Sequence, residues 1–169
     1  MQTNHIMEKY IVVLKGLLLA AMLMFLYTSC DKDNEKGLGN LDSNYLVFGG
    51  FAGECFGDMC VTNFALTDDG LFEDENHVYN STDFSFVELT NDKYELAKDL
   101  IDFFPQQLLE QEESTIGCPD CYDQGGYFIQ YTQDGESQFW RIDTRLEDVP
   151  TYLHDFLGKV SEKINLLKM

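Results

Sequence analysis

At 169 residues the chain is sized for one domain, and 30 acidic against 11 basic side chains set its formal net charge at −19. So acidic a surface is repelled by phosphate backbones and releases no counterions on meeting them, which excludes nucleic acid as a partner. Hydrophobic residues make up 44% of the chain and aromatics 14%, enough burial to offset chain entropy, so a folded core is expected and not an acidic disordered tail.

The first element in chain order is apolar. Lys9 and Lys15 precede the run Gly16 to Tyr27, which is followed by Thr28-Ser29-Cys30 and at once by the charged stretch Asp31-Lys32-Asp33-Asn34-Glu35-Lys36. A helix over that run rises only about 18 Å, against a hydrocarbon core of about 30 Å, so it has the length of a signal-peptide core and not of a permanent span. The start is Met1 or Met7, since residues 1–6 add nothing to the signal.

Small residues directly before a cysteine at the end of such a run resemble the lipobox of bacterial lipoproteins, in which a lipid is added to the thiol and the peptide is then cut in front of it. The resemblance implies a signal peptide over residues 1–29 and Cys30 as the lipidated first residue of the mature chain. Residues 30–43, polar and Gly-containing, then read as a flexible acidic tether. The pattern departs from the commonest lipobox at Tyr27, where Leu is usual three places before the cysteine; Leu26 sits one place early. The stretch Asp31 to Lys36 is similar to the signal that sends some Gram-negative lipoproteins to the outer cell surface. What the resemblance implies is an envelope protein lipid-anchored in the outer membrane, either surface-exposed or facing the periplasm. The membrane is then one partner, and a protein or glycan of unknown identity the other.

From Asn44 the pattern turns to strand. Tyr45-Leu46-Val47-Phe48 is a dense apolar run ending at Gly49-Gly50, where a bulge or a close backbone approach is expected. Val61 to Thr67 and Leu71 to Asp74 flank Asp68-Asp69-Gly70, and a three-residue loop with Gly70 left-handed pairs Leu66 with Phe72. A second hairpin turns at Asp134-Gly135, which sets Tyr127 opposite Ile142, Ile129 opposite Trp140 and Tyr131 opposite Gln138. The reverse of that hairpin carries Phe128, Gln130 and Thr132 against Arg141, Phe139 and Ser137, a set expected to be more solvated.

Each hairpin is followed by a helix. Asp92 and Glu95 have the spacing of a capping box, and Ala97, Leu100, Ile101 and Phe104 recur on one face until Pro105; a short turn through Leu108-Leu109 follows. After Pro150, Leu153, Phe156, Leu157, Val160, Ile164 and Leu167 mark one face of a final helix, with Lys159, Lys163 and Lys168 placed to favour the negative end of its dipole. Residues 44–169 are thus expected to form a single α+β domain in the order β-β-β-α-β-β-α, a two-layer arrangement with both main helices on one face of a mainly antiparallel sheet. The two halves share only an Asp-Gly turn and helical spacing, too little to establish a repeat.

With Cys30 assigned to lipid, Cys55, Cys60, Cys118 and Cys121 remain, an even number that outside the cytoplasm is expected to form two disulfides in one of three connectivities. A bridge from the first pair to the second would tie the halves of the domain together, closing a loop of about 60 residues worth about 4 kcal/mol in the chain-entropy model. Zinc held by the four thiolates is a competing reading, yet it needs them kept reduced outside the cell. Cys118-Pro119-Asp120-Cys121 also has the CxxC spacing of thiol oxidoreductases, with Cys118 as nucleophile and Cys121 as resolving thiol, although Asp120 and Asp123 would raise a thiol pKa. The Cys55-Phe56-Gly57 opening of the first thiol pair resembles small uncharacterised secreted bacterial domains, and no activity follows from it.

No phosphate-cradling glycine loop, nucleophile elbow, His-Glu-x-x-His or EF-hand spacing occurs. His77 and His154 read as surface imidazoles. Asp68-Asp69, Glu73-Asp74-Glu75 and Asp120 with Asp123 could hold calcium through oxygen ligands, or stand as solvated charge. Trp140 and the tyrosines could stack on sugars, although alternation in the hairpin points most of them into the core. The sequence therefore predicts no catalytic, cofactor or metal residues, and a binding or structural role for a lipid-anchored protein; the alternative is a thiol-disulfide oxidoreductase.

Overall fold

The computed structural model describes residues 44–55, 60–77 and 83–169; the signal segment 1–29 and the tether 30–43, with Cys30, lie outside the described residues. The domain is α+β. Its seven-stranded sheet comprises β1 (Tyr45–Phe51), β2 (Val61–Leu66), β3 (Leu71–Asp74), β4 (Phe86–Glu88), β5 (Thr115–Ile116), β6 (Gly126–Gln133) and β7 (Glu136–Asp143), in the spatial order β4-β3-β2-β1-β6-β7-β5. All neighbours are antiparallel except β5 and β7. The predicted order is thus extended by two short strands, β4 and β5, too brief to leave a period in the sequence. Among the described residues no helix is long and apolar enough to cross a membrane.

The Asp134-Gly135 hairpin has the predicted register, with Tyr127 opposite Ile142, Ile129 opposite Trp140 and Tyr131 opposite Gln138. Both turn residues take positive φ, 54° and 83°, as a two-residue hairpin of the mirror-image type requires. The first hairpin differs from expectation. Leu66 pairs with Leu71 and Ala65 with Phe72, and Gly70 is not left-handed. The hydroxyl of Thr67 closes a four-residue loop instead, accepting the N–H of Gly70 at 2.9 Å while the Thr67 N–H donates to the Gly70 carbonyl at 2.9 Å. That change of one residue puts Leu71 on the core face with Leu66 and turns Phe72 to the reverse face.

One face of the sheet supplies Leu46, Phe48, Phe64, Leu66, Leu71, Ile129, Trp140 and Ile142 to the main core, where they meet the helical segments. α1 (Asn91–Ala97) begins after Thr90, so Asp92 stands in its first turn and is not the cap; the predicted capping box does not form. The chain then tightens into a 3₁₀ segment, Lys98–Phe103, and a second, Gln106–Glu110, follows Pro105 as the Leu108-Leu109 turn predicted. Ala97, Leu100, Phe104 and Leu108 are buried, whereas Ile101 stays 40% exposed because the 3₁₀ pitch rotates it off the face.

The last helix, α2 (His154–Leu167), buries every predicted position: Leu153, Phe156, Leu157, Val160, Ile164 and Leu167. Lys163 departs from its expected place near the dipole. It is buried, and its ammonium pairs with Asp99 of the 3₁₀ segment at 2.6 Å, tying the two helical layers together. The C-terminal carbonyl of Leu167 receives a hydrogen bond from Lys93 of α1 at 2.9 Å, so the cation that serves this helix end comes from another element.

The reverse face is less solvated than expected. Phe128, Gln130 and Thr132 are buried, and Val47, Phe51, Val61, Ala65, Phe84 and Phe86 join Phe128 in a second apolar cluster. Phe84, from the segment entering β4, stacks on Phe86 at 5.0 Å and meets Phe128 edge-on at 5.8 Å. A residue outside regular structure supplies this cover, which strand alternation could not reveal. Only Ser137, Phe139 and Arg141 on that side of β7 remain exposed or half-buried.

Within β1 the two glycines differ. A Cβ on Gly49 would lie 2.2 Å from the Thr62 carbonyl oxygen and 2.3 Å from Asn63 Oδ1, the close approach the sequence suggests, while one on Gly50 would make ordinary contacts at 3.7 and 3.9 Å. Gly49→Ala is therefore expected to cost about 2 kcal/mol or more, and Gly50→Ala to stay within about 0.5 kcal/mol of the parent. Urea unfolding of both variants measures the contrast.

Candidate functional site

The two thiol pairs are each closed on themselves, as Cys55–Cys60 and Cys118–Cys121. Neither bridge joins the halves of the domain: of the three connectivities left open by the sequence, the structure takes the local one. The loops meet all the same, through a carboxylate. Asp120 Oδ1 accepts the N–H of Gly53 at 3.1 Å and of Gly125 at 3.0 Å, so one oxygen ties the loop after β1 to the loop before β6. A Cβ on Gly53 would fall 1.8 Å from Asp120 Oδ2, and this junction therefore needs glycine. Asp120 and Asp123 both take positive φ, 65° and 59°, conformations that Asp tolerates better than most residues.

Asp143, at the end of β7, holds the same loop from its other side. Its carboxylate accepts the N–H of Cys118 at 2.9 Å, the N–H of Arg145 at 2.9 Å and the side-chain amide of Gln124 at 3.1 Å. Gln124 also donates to the Cys118 carbonyl at 2.9 Å, and its own oxygen accepts the Tyr122 N–H at 2.8 Å. Burial opposes the ionisation of Asp143, but the bonds from Arg145, Gln124 and Cys118 outweigh it and hold the carboxyl below its ordinary range.

These surroundings bear on thiol chemistry. Cys118 and Cys121 are exposed, and Cys118 leads into a turn and not into a helix. Asp120 and Asp143 hydrogen-bond within its loop, and the Arg145 guanidinium lies over the Tyr122 ring at 5.4 Å and pairs with Glu147 and Asp148. Carboxylates disfavour a thiolate and repel an incoming anionic thiol, the reverse of the setting that activates a CxxC nucleophile.

Beside this junction opens a cavity of about 400 Å³ between the ends of β1 and β6 and the last turns of α2. Gln124, Tyr127, Thr144, Ser161, Asn165 and Lys168 give it amide, hydroxyl and ammonium groups, Phe51 adds a second aromatic residue beside Tyr127, and among the described residues no carboxylate lines it. In a chain so acidic, that lining favours a neutral or anionic polar molecule over a cation.

The remaining sequence candidates have structural partners. Asp74 is buried and accepts the N–H of Ser85 at 2.8 Å and of Asn76 at 3.2 Å, and Asp69 accepts the Thr67 hydroxyl at 2.9 Å. Among the described residues no three His, Cys, Asp or Glu side chains converge as a metal would require. The disulfides leave none of the four thiolates that zinc needs. His77 Nδ1 lies 2.9 Å from the Val61 carbonyl and His154 Nε2 lies 3.2 Å from that of Val149; both are half-buried and not surface imidazoles, because each ring is drawn onto a backbone oxygen. Trp140 is 1% exposed, so the only tryptophan is core and not a sugar platform. Sequence reasoning missed Asp143 and Gln124, since nothing in their spacing shows that they reach back to Cys118.

No protein-family model matches the chain, and no curated protein matches it either.

Two outcomes follow from this junction. A carboxyl held below its unfolded value stabilises the fold above the ordinary carboxylate range and loses that contribution as pH falls through its folded value. Asp143→Asn is accordingly expected to cost about 1 to 3 kcal/mol at neutral pH. Its deficit against the parent should shrink below about pH 4 in melts taken down an acid series. Because both bridges close short loops, reduction should remove only about 2 kcal/mol each and lower the melting temperature while leaving one cooperative transition. Loss of secondary structure on reduction at room temperature would show that the core is insufficient alone.

Proposed function

We propose that the protein is a lipoprotein of the cell envelope, anchored through lipid on Cys30 in the outer membrane, with a non-catalytic binding or structural role. The observation that carries this reading is the short apolar run ending in Thr28-Ser29-Cys30 and followed at once by the charged stretch Asp31 to Lys36. Two disulfides are compatible with an oxidising compartment, and the polar cavity beside them offers a place for a small ligand.

One observation favours the thiol-disulfide oxidoreductase as a second reading: the Cys118–Cys121 bridge is exposed to attack. The carboxylates around it oppose this reading. A redox titration separates the two, since a structural bridge resists the glutathione pool and a catalytic one equilibrates with it.

For anchoring, labelled palmitate should enter the membrane fraction with the parent chain, and Cys30→Ala should release the protein or leave an uncut precursor. A mature N-terminus found by mass spectrometry at another, unmodified residue would overturn the assignment. Protease treatment of intact cells tests the leaflet: cleavage places the domain on the cell surface, and full protection places it on the periplasmic side.

A further inference from the structure

The sheet ends on two unlike edges. β4 is three residues long and carries Glu88, the brevity and charge that keep an edge from recruiting other strands. β7 is eight residues long, and among the described residues only Arg141 and Ile142 have a neighbour beyond it, in β5. The rest of its outer side, Glu136 to Trp140, has no strand neighbour among the described residues. The Arg141 N–H donates outward to Ser114 at 2.8 Å, so by alternation Phe139 and Ser137 also turn their N–H and C=O groups away from β6. Ser137-Gln138-Phe139-Trp140 contains no charge and no proline, and the β6 register runs through it without a bulge.

A cavity of about 420 Å³ lies along this edge, with Leu109 and Tyr131 as its apolar wall and Asp134, Glu136, Ser137 and Gln138 as its polar one. Among the described residues no basic side chain lines it. Glu110, Glu112 and Glu113, all exposed, stand on the segment leading into β5. On the opposite face of the edge, Phe139 is 38% exposed and stacks on Phe128 at 6.0 Å.

We propose that the open edge of β7 receives an extended, basic peptide segment of another protein as an added strand. Backbone groups of Ser137 and Phe139 hold it, and the strand continues the column begun by β5. Alternate side chains of such a strand fall to opposite faces, one set against Leu109 and Tyr131, the other beside Phe139. Lysine or arginine in the segment is matched by Asp134 and Glu136. A second copy of this chain fits poorly, because edge-to-edge pairing would press together two acidic edges of chains that each carry a net charge of −19. This inference rests on β7 alone and is independent of Cys30.

The test uses the oxidised full chain in detergent, with a synthetic peptide of alternating valine and lysine and a counterpart bearing glutamate for lysine. Amide NMR should show the basic peptide perturbing Ser137 and Phe139 and their neighbours on β7, with affinity falling as salt rises and no response to the acidic peptide. Ser137→Pro removes an outward N–H that is no part of the β6 ladder, at the cost of the hydroxyl bond between Ser137 and buried Thr132 at 2.7 Å, and Gln138→Lys places a like charge in the cavity. Each should weaken binding by about tenfold; Gln138→Lys should leave the melting temperature near that of the parent, and Ser137→Pro should lower it while keeping one cooperative transition. The proposal is overturned by shifts confined elsewhere, by equal response to the acidic peptide, by no response at about 1 mM peptide, or by unchanged affinity in both variants. Sedimentation showing a dimer that Ser137→Pro dissolves would overturn it in favour of a second copy.

Discussion

The two hairpins of this domain touch through one strand. β1 pairs with β2 from Leu46 to Phe51 on one side and with β6 from Tyr45 to Phe51 on the other, in unbroken register. Its side chains serve both apolar clusters, Leu46 and Phe48 on the helical face and Val47 and Phe51 on the reverse. Nothing larger than glycine is admitted at position 49, where the β2 backbone comes closest. Because β6 follows β1 by most of the domain's length, this seam closes late in any folding order that builds local structure first. Everything beyond it, including the position of the edge strand β7, is set by how β1 and β6 align.

Where a local rule fixes geometry, the sequence was sufficient to anticipate it. The Asp134-Gly135 turn leaves no freedom in the pairing of its strands, and the stripe of α2 has one solution for burial. Prediction failed where a side chain replaced the backbone in making a turn, as Thr67 does, or where the partner is distant in the chain. Lys163 looks solvated on a helical wheel until Asp99 is brought against it. Cysteine pairing belongs to the same class, since three connectivities satisfy the sequence and only proximity chooses. Of the junction between the disulfide loops, the cysteines and Asp120 were visible beforehand, but not the role of Asp120 as the knot, and not Asp143.

The acidity of the chain also has an internal use. Asp74, Asp120 and Asp143 each accept two or more hydrogen bonds, chiefly from backbone N–H groups in loops that have no ladder to satisfy them. Carboxylates therefore organise the irregular parts of the domain, whereas the regular parts depend on apolar burial. The polar cavity near Lys168 and the β7 edge with its glutamates consequently offer opposite electrostatic environments at different places on one sheet.

Each bridge joins cysteines that are consecutive among those in the domain and only five or three positions apart. Were the chain exported as proposed, entering an oxidising space from its N-terminal side, Cys60 would follow Cys55 almost at once, and Cys121 would follow Cys118. Oxidation in order of emergence then yields the native pairing directly. A chain wired this way can mature with a simple oxidant and has no need of an isomerase to correct its bonds, which suits assembly in a compartment without an energy supply of its own.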